Sequence, residues 1–224
     1  MEQDSRANGA ARPRTSFREA LRLELRHHLP FTVVVTAATA VAASVAVRAW
    51  PAIADSGASF AGAHLIHVFV SAVATTAVAS RQRGGPALAA GLGIVGSVAF
   101  CTLSDILLPY AGALAFGSPV SLDVEVLEAP VQVGLAAAAG AAGGFAHMRR
   151  LSVYSHSAHV LVSSLASVLY VHTHSDGAWA DWAHAPGMAA VLFFSVFLPC
   201  CMSDLVMPVA CTHCDFRGRA NPEP

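Results

Sequence analysis

Residues 58–80 read ASFAGAHLIHVFVSAVATTAVAS, an uncharged run long enough to cross the ~30 Å hydrocarbon core of a bilayer at 1.5 Å per helical residue. Inside it stand His64, His67, Ser71 and Thr75. Their i, i+3, i+7, i+11 spacing sets all four along one face of a helix whose other faces are Ala, Val, Leu, Ile and Phe. The pattern returns further on as His156-Ser157-Ala158-His159-Val160-Leu161-Val162-Ser163-Ser164-Leu165-Ala166-Ser167, where six of twelve positions are identical, both His and the following Ser among them. His156, His159, Ser163 and Ser167 thus form a second polar stripe.

A second pair of segments follows each stripe. Cys101-Thr102-Leu103-Ser104-Asp105-Ile106-Leu107-Leu108-Pro109 matches Cys200-Cys201-Met202-Ser203-Asp204-Leu205-Val206-Met207-Pro208 in its Cys, Ser, Asp and Pro. A weaker match pairs His28-Leu29-Pro30 with Glu128-Ala129-Pro130, ahead of each stripe. The three matches keep the same order in both halves.

Composition sets these segments in a membrane. The 224 residues are 55% hydrophobic and 12% charged, with a mean hydropathy of +0.56, far from the quarter charged that is usual of soluble domains. A soluble enzyme, a nucleic-acid binder and a disulfide-stapled secreted module are excluded, and nucleic acid is not an expected partner. Six uncharged windows, about 31–47, 58–80, 86–110, 129–148, 151–172 and 186–210, predict an all-α integral membrane protein with six transmembrane helices. Three spans per half force the second half to insert upside down, so the fold expected is two inverted three-helix repeats.

Net charge is -1 and all thirteen basic residues are Arg. Cytoplasmic termini put twelve of them inside and only Arg48 outside, while Asp55, Asp123, Glu125, Glu128, Asp176 and Asp181 fall in the outer loops. The expected location is a plasma (inner) membrane, and the lipid bilayer is itself a partner. The expected organisation is a cytoplasmic tail with an amphipathic surface helix over 1–29, a first repeat over 30–110, an outer loop over 111–128, an inverted repeat over 129–210 and a cytoplasmic tail over 211–224. Within the first tail, Ser16 and Glu19 fit a capping box, with Phe17, Leu21 and Leu25 on one face and Arg18, Arg22 and Arg26 on another.

Imidazole, thiolate and carboxylate together suit Zn²⁺ and neighbouring divalent transition metals rather than Ca²⁺ or Mg²⁺. Cys101 shares a helix face with Asp105, and Cys200 with Asp204. Pro109 and Pro208 each lie four residues beyond the Asp, so each either frees the carbonyl of that Asp at a helix break or ends the helix near the surface. His64 and His67 lie roughly 9 and 13 Å below the outer surface at 1.5 Å per residue. Two pseudo-equivalent metal clusters follow: an outer one of His64, His67, Asp105 and Glu128 with Cys101 deeper, and an inner one of His156, His159, Asp204 and His28 with Cys200 deeper. His67 and His159 both approach the midplane, so the clusters are either neighbours or one merged two-metal site. His172, His174, Asp176, Asp181 and His184 read either as a cation-collecting mouth or as an ordinary polar loop, and Cys211-Thr212-His213-Cys214 as reduced thiols.

The function expected is transport of a divalent transition metal, Zn²⁺ first, with Ser71, Thr75, Ser163 and Ser167 lining the route and proton exchange as a driving force. The alternatives are a membrane-embedded metalloenzyme with a two-metal centre and a haem redox protein, the latter disfavoured because both His of a doublet cannot ligate one planar haem. A homo-oligomer is compatible with the sequence.

Overall fold

The computed structural model describes residues 17–50, 52, 57–81, 85–146, 153–175 and 185–213. Among them the secondary structure is helical, and each of the six apolar windows falls on a helix. We number these α1 (Phe17–Ala49), α2 (Gly57–Arg81), α3 (Pro86–Ala115), the short α4 (Glu125–Glu128), α5 (Pro130–Ala146), α6 (Val153–His174) and α7 (185–213). Three stretches, Gly57–Arg81, Pro86–Ala115 and Ala189–Cys211, are long and apolar enough to cross a membrane, and Val33–Ala46 and Pro130–Ala146 are shorter apolar helices.

Large apolar side chains face outward, and a set of polar ones is buried within the apolar core. Val34, Val95, Val131, Leu135, Phe194 and Leu198 are exposed, whereas His64, His67, Asp105, His159, Ser163 and Asp204 are buried. Such a distribution fits a solvent that is itself apolar, because a helix satisfies its own backbone and leaves only polar side chains to be paired inside.

Packing crosses the two halves. Within each half the second and third helices pack together, α2 on α3 and α6 on α7, and α2 meets α6 at the centre. The first helix of each half covers the core pair of the other: α1 lies on α6 and α7, and α5 lies on α2 and α3. Glycine permits one of these seams, since a Cβ at Gly140 would run into the Phe69 carbonyl and one at Gly144 would lie 2.7 Å from Thr76 Cβ. On the other seam Thr39 Oγ1 meets Ser164 Oγ at 2.9 Å.

Two features differ from the sequence expectation. The amphipathic segment and the first span are one continuous helix, α1, which runs through Pro30. The first half also has no helix-ending proline: α3 and α7 each pass through one π-helical turn, Leu103–Leu107 and Met202–Val206, and continue as α-helix over Leu108–Ala115 and Met207–His213. The two π-turns occupy matching positions, each with its Asp third. Single π-turns inside α-helices are frequent at functional sites.

After α3, Gly117 at φ 73° turns the chain in the left-handed region open to glycine. The chain then returns over the bundle end, where Val120 bridges Ser175 and Ser121 N–H donates to the His174 carbonyl at 3.1 Å. Ser16, Asp55, Asp176, Asp181, His184 and Cys214, and the side chains of His28, His156 and His213, lie outside the described residues.

Candidate metal centre

The helical spacing of α2 turns His64 and His67 toward α3, and both are wholly buried. Their Nδ1 atoms share one carboxylate oxygen, Asp105 Oδ2, at 2.9 and 2.7 Å. The other oxygen, Oδ1, accepts from Ser104 Oγ at 2.9 Å and from Ser163 Oγ at 3.1 Å. In the second half His159 Nδ1 lies 2.5 Å from Asp204 Oδ2, and Thr75 Oγ1 lies 3.4 Å from Asp204 Oδ1. A carboxylate removed from water needs such partners, and each Asp takes imidazole from its own half and hydroxyl from the other.

With Nδ1 engaged, Nε2 of each ring is left to face inward. The His67 and His159 rings meet at the bundle centre with centroids 4.6 Å apart, and Cys200 Sγ lies 4.0 Å from His67 Nε2. Donor atoms of His67, His159 and Cys200 all fall within 4.8 Å of one another. Cys101, equally buried, is a side-chain neighbour of both imidazoles. A tetrahedral zinc site with bonds of about 2.0–2.3 Å spaces its donors about 3.3–3.8 Å apart, so an ion would draw this group in by about 1 Å. Among the described residues the set is two imidazoles and a thiol, with a second thiol beside them. The carboxylates stand behind the rings, the arrangement that fixes tautomer and orientation in metal-binding histidines.

This geometry revises several expectations. Among the described residues, His67 of the outer cluster and His159 and Cys200 of the inner one come within reach of one another, because α2 and α6 meet at the centre. Asp105 and Asp204 hold imidazoles rather than joining the donor group. Glu128 is exposed on α4, away from the buried His64, His67 and Asp105; its hydrogen bond and like charge with Asp123 raise its carboxyl above the ordinary range. Rings in contact at His67 and His159 leave no space for a haem between them.

The proline expectation is also revised. The π-turn shifts hydrogen bonding to i−5, as Leu108 N–H to Leu103 O and Met207 N–H to Met202 O show. In that register the amides missing at Pro109 and Pro208 face the carbonyls of Ser104 and Ser203 rather than those of the Asp residues. Hydroxyls of the opposite half take their place: Ser167 Oγ donates to Ser104 O at 3.1 Å, and Thr75 Oγ1 to Ser203 O at 3.3 Å. Ser71 Oγ also meets Ser203 Oγ at 3.2 Å. The four hydroxyls expected along a route are thus engaged as crossed braces between the halves.

Sequence reasoning missed the role of Ser104 and Ser203. The signal was present, since a Ser precedes the Asp in both repeats. It also missed Phe60 and Tyr170, aromatic residues on α2 and α6 that connect the buried His64 to His174. Comparison of the chain with protein-family models, with curated proteins and with solved structures returns no match.

Proposed function

We propose that the chain is a six-span membrane protein of two inverted three-helix halves, which binds one divalent transition metal between them and carries it across the membrane. One observation carries this reading: His67, His159 and Cys200 come from both halves and meet at the bundle centre, each imidazole held by the Asp of its own half. A site on the seam between halves opens to one side or the other when they rock, which is how inverted-repeat transporters work. Complete burial of the donors then corresponds to an occluded state. Thiol and imidazole donors favour Zn²⁺ over Mn²⁺ or Mg²⁺. Both termini are placed in the cytoplasm of a cell with a plasma (inner) membrane, by the distribution of Arg.

Metal analysis of the purified protein, followed by Zn²⁺ flux into proteoliposomes, tests this. One ion per chain is expected, with flux that His67→Ala and His159→Ala both abolish. Absence of stoichiometric metal from the unaltered protein would sink the reading. Bound metal without flux would replace transport by catalysis or by a structural ion.

A further inference from the structure

His64 is not in the donor group, yet it is prepared like a ligand. Its Nδ1 sits on Asp105 Oδ2, the same oxygen that holds His67, and its Nε2 is fully buried with no hydrogen-bond partner among the described residues. Buried polar atoms are nearly always paired, and each exception calls for a physical reason. Holding Asp105 explains one nitrogen of this ring and leaves the other unexplained.

The surroundings of the ring supply the reason. His64 lies on Phe60, with centroids 5.8 Å apart and planes at 26°. The other edges of Phe60 meet Tyr170 at 5.2 Å and His174 at 5.6 Å. His174 gives its Nδ1 to the Tyr170 carbonyl, which leaves Nε2 directed at Asp123 Oδ2, 3.5 Å away. Asp123 is partly exposed and hydrogen-bonded to exposed Glu128. Carboxylate and imidazole donors therefore run from the surface at Glu128, Asp123 and His174 to a single apolar ring, Phe60, and resume at His64. His67 follows one helical turn on, a rise of about 4.5 Å.

We propose that this line is the metal's access route to the centre. His174, Asp123 and Glu128 form a surface station for a borderline divalent cation of the Zn²⁺ class, Phe60 is the plug, and His64 is the transfer ligand that passes the ion to His67. The proposal rests on the metal centre above and adds where the ion enters. Imidazole nitrogen suits the step because it binds Zn²⁺ without a fixed charge of its own, and exchange between two nitrogens a turn apart never leaves the ion bare in an apolar interior.

The test follows Co²⁺ loading of the full chain in detergent by stopped flow, with thiolate-to-cobalt absorption reporting arrival at Cys200, and then removal by a chelator. His64→Asn keeps an amide donor where Nδ1 stood and removes Nε2, so it separates transfer from the holding of Asp105. We expect His64→Asn to slow loading and removal on the order of tenfold, the lower range for loss of a group tuning a metal site, with the final spectrum and stoichiometry unchanged. Phe60→Ala is expected to speed both, and His174→Ala, at the partly exposed end, to slow loading from dilute Co²⁺. Unchanged rates in all three variants overturn the route. So does a lower stoichiometry or altered final spectrum in His64→Asn, which would place His64 in the centre itself. A lack of Co²⁺ binding by the unaltered protein is a different failure, that of the metal centre on which the route depends.

Discussion

The π-turn regions of α3 and α7 are built alike and loaded differently. Each carries Cys, Ser, Asp and Pro in the same register, and in each the carbonyl freed by proline accepts a hydroxyl from the opposite half. Ser104 Oγ, however, donates to the carboxylate of its neighbour Asp105, whereas Ser203 Oγ meets the hydroxyls of Ser71 and Thr75 from the opposite half. Shared construction puts the two sites on one seam, and in the first half Phe60 lies between the ring of His64 and that of His174.

Paired substitutions test that comparison, beginning with the donors. His67→Ala and His159→Ala are expected to abolish stoichiometric metal equally, as measured by metal content after dialysis; retention in one alone would mean that the centre belongs to one half. Next in size, Asp105→Asn and Asp204→Asn are each expected to weaken metal binding about 10–100-fold in competition titrations, as loss of the carboxylate behind a ligating histidine does elsewhere. Losses of similar size are expected, because each carboxylate holds one ring of the donor group; an effect at one Asp alone would mean that only that half orients its imidazole.

The hydroxyl braces come third. Ser167→Ala and Thr75→Val each leave a buried carbonyl without its donor, an expected loss of about 1–3 kcal/mol in thermal unfolding in detergent. Thr75→Val should cost more, since Thr75 also reaches Ser203 Oγ at 3.1 Å and Asp204. Equal and negligible shifts would show that the braces do not bind the halves together.

The smallest effect lies at the surface. The Glu128 carboxyl is raised by Asp123, so the folded protein holds this proton at a pH where the unfolded chain has released it. Its contribution is present at low pH and is lost as pH rises through the raised value, where two carboxylates then repel. Glu128→Gln is expected to flatten the dependence of unfolding temperature on pH in that window, by a small amount because the group is solvated. A steeper dependence in the variant would contradict the Asp123 pairing.

Much of the centre was legible in the chain. His67, His159 and Cys200 are ligand types in apolar runs, and the i, i+3 and i, i+4 spacings set them on faces shared with their neighbours because helical periodicity is local. Other roles were not legible. Spacing makes Asp105 a ligand candidate, since it says that a carboxylate shares a face with Cys101 but not that two imidazoles of another helix reach it first. Pro109 pointed to the Asp carbonyl under α-helical counting, and a single π-turn moved the vacancy to Ser104. Glu128 matched His28 by position, yet its helix stops at the surface beside Asp123.

Sequence alone determined the helices, their apolar exteriors and the small set of residues able to hold a metal, because these depend on residue type and on repeats of a few residues along one helix. The tertiary structure decided that the first helices exchange between halves, that His67, His159 and Cys200 meet across the seam, and that each Asp orients a ring while hydroxyls of the other half hold the backbone. Those outcomes depend on distances between helices far apart in the chain, and on a one-residue change of hydrogen-bond register, neither of which linear spacing encodes.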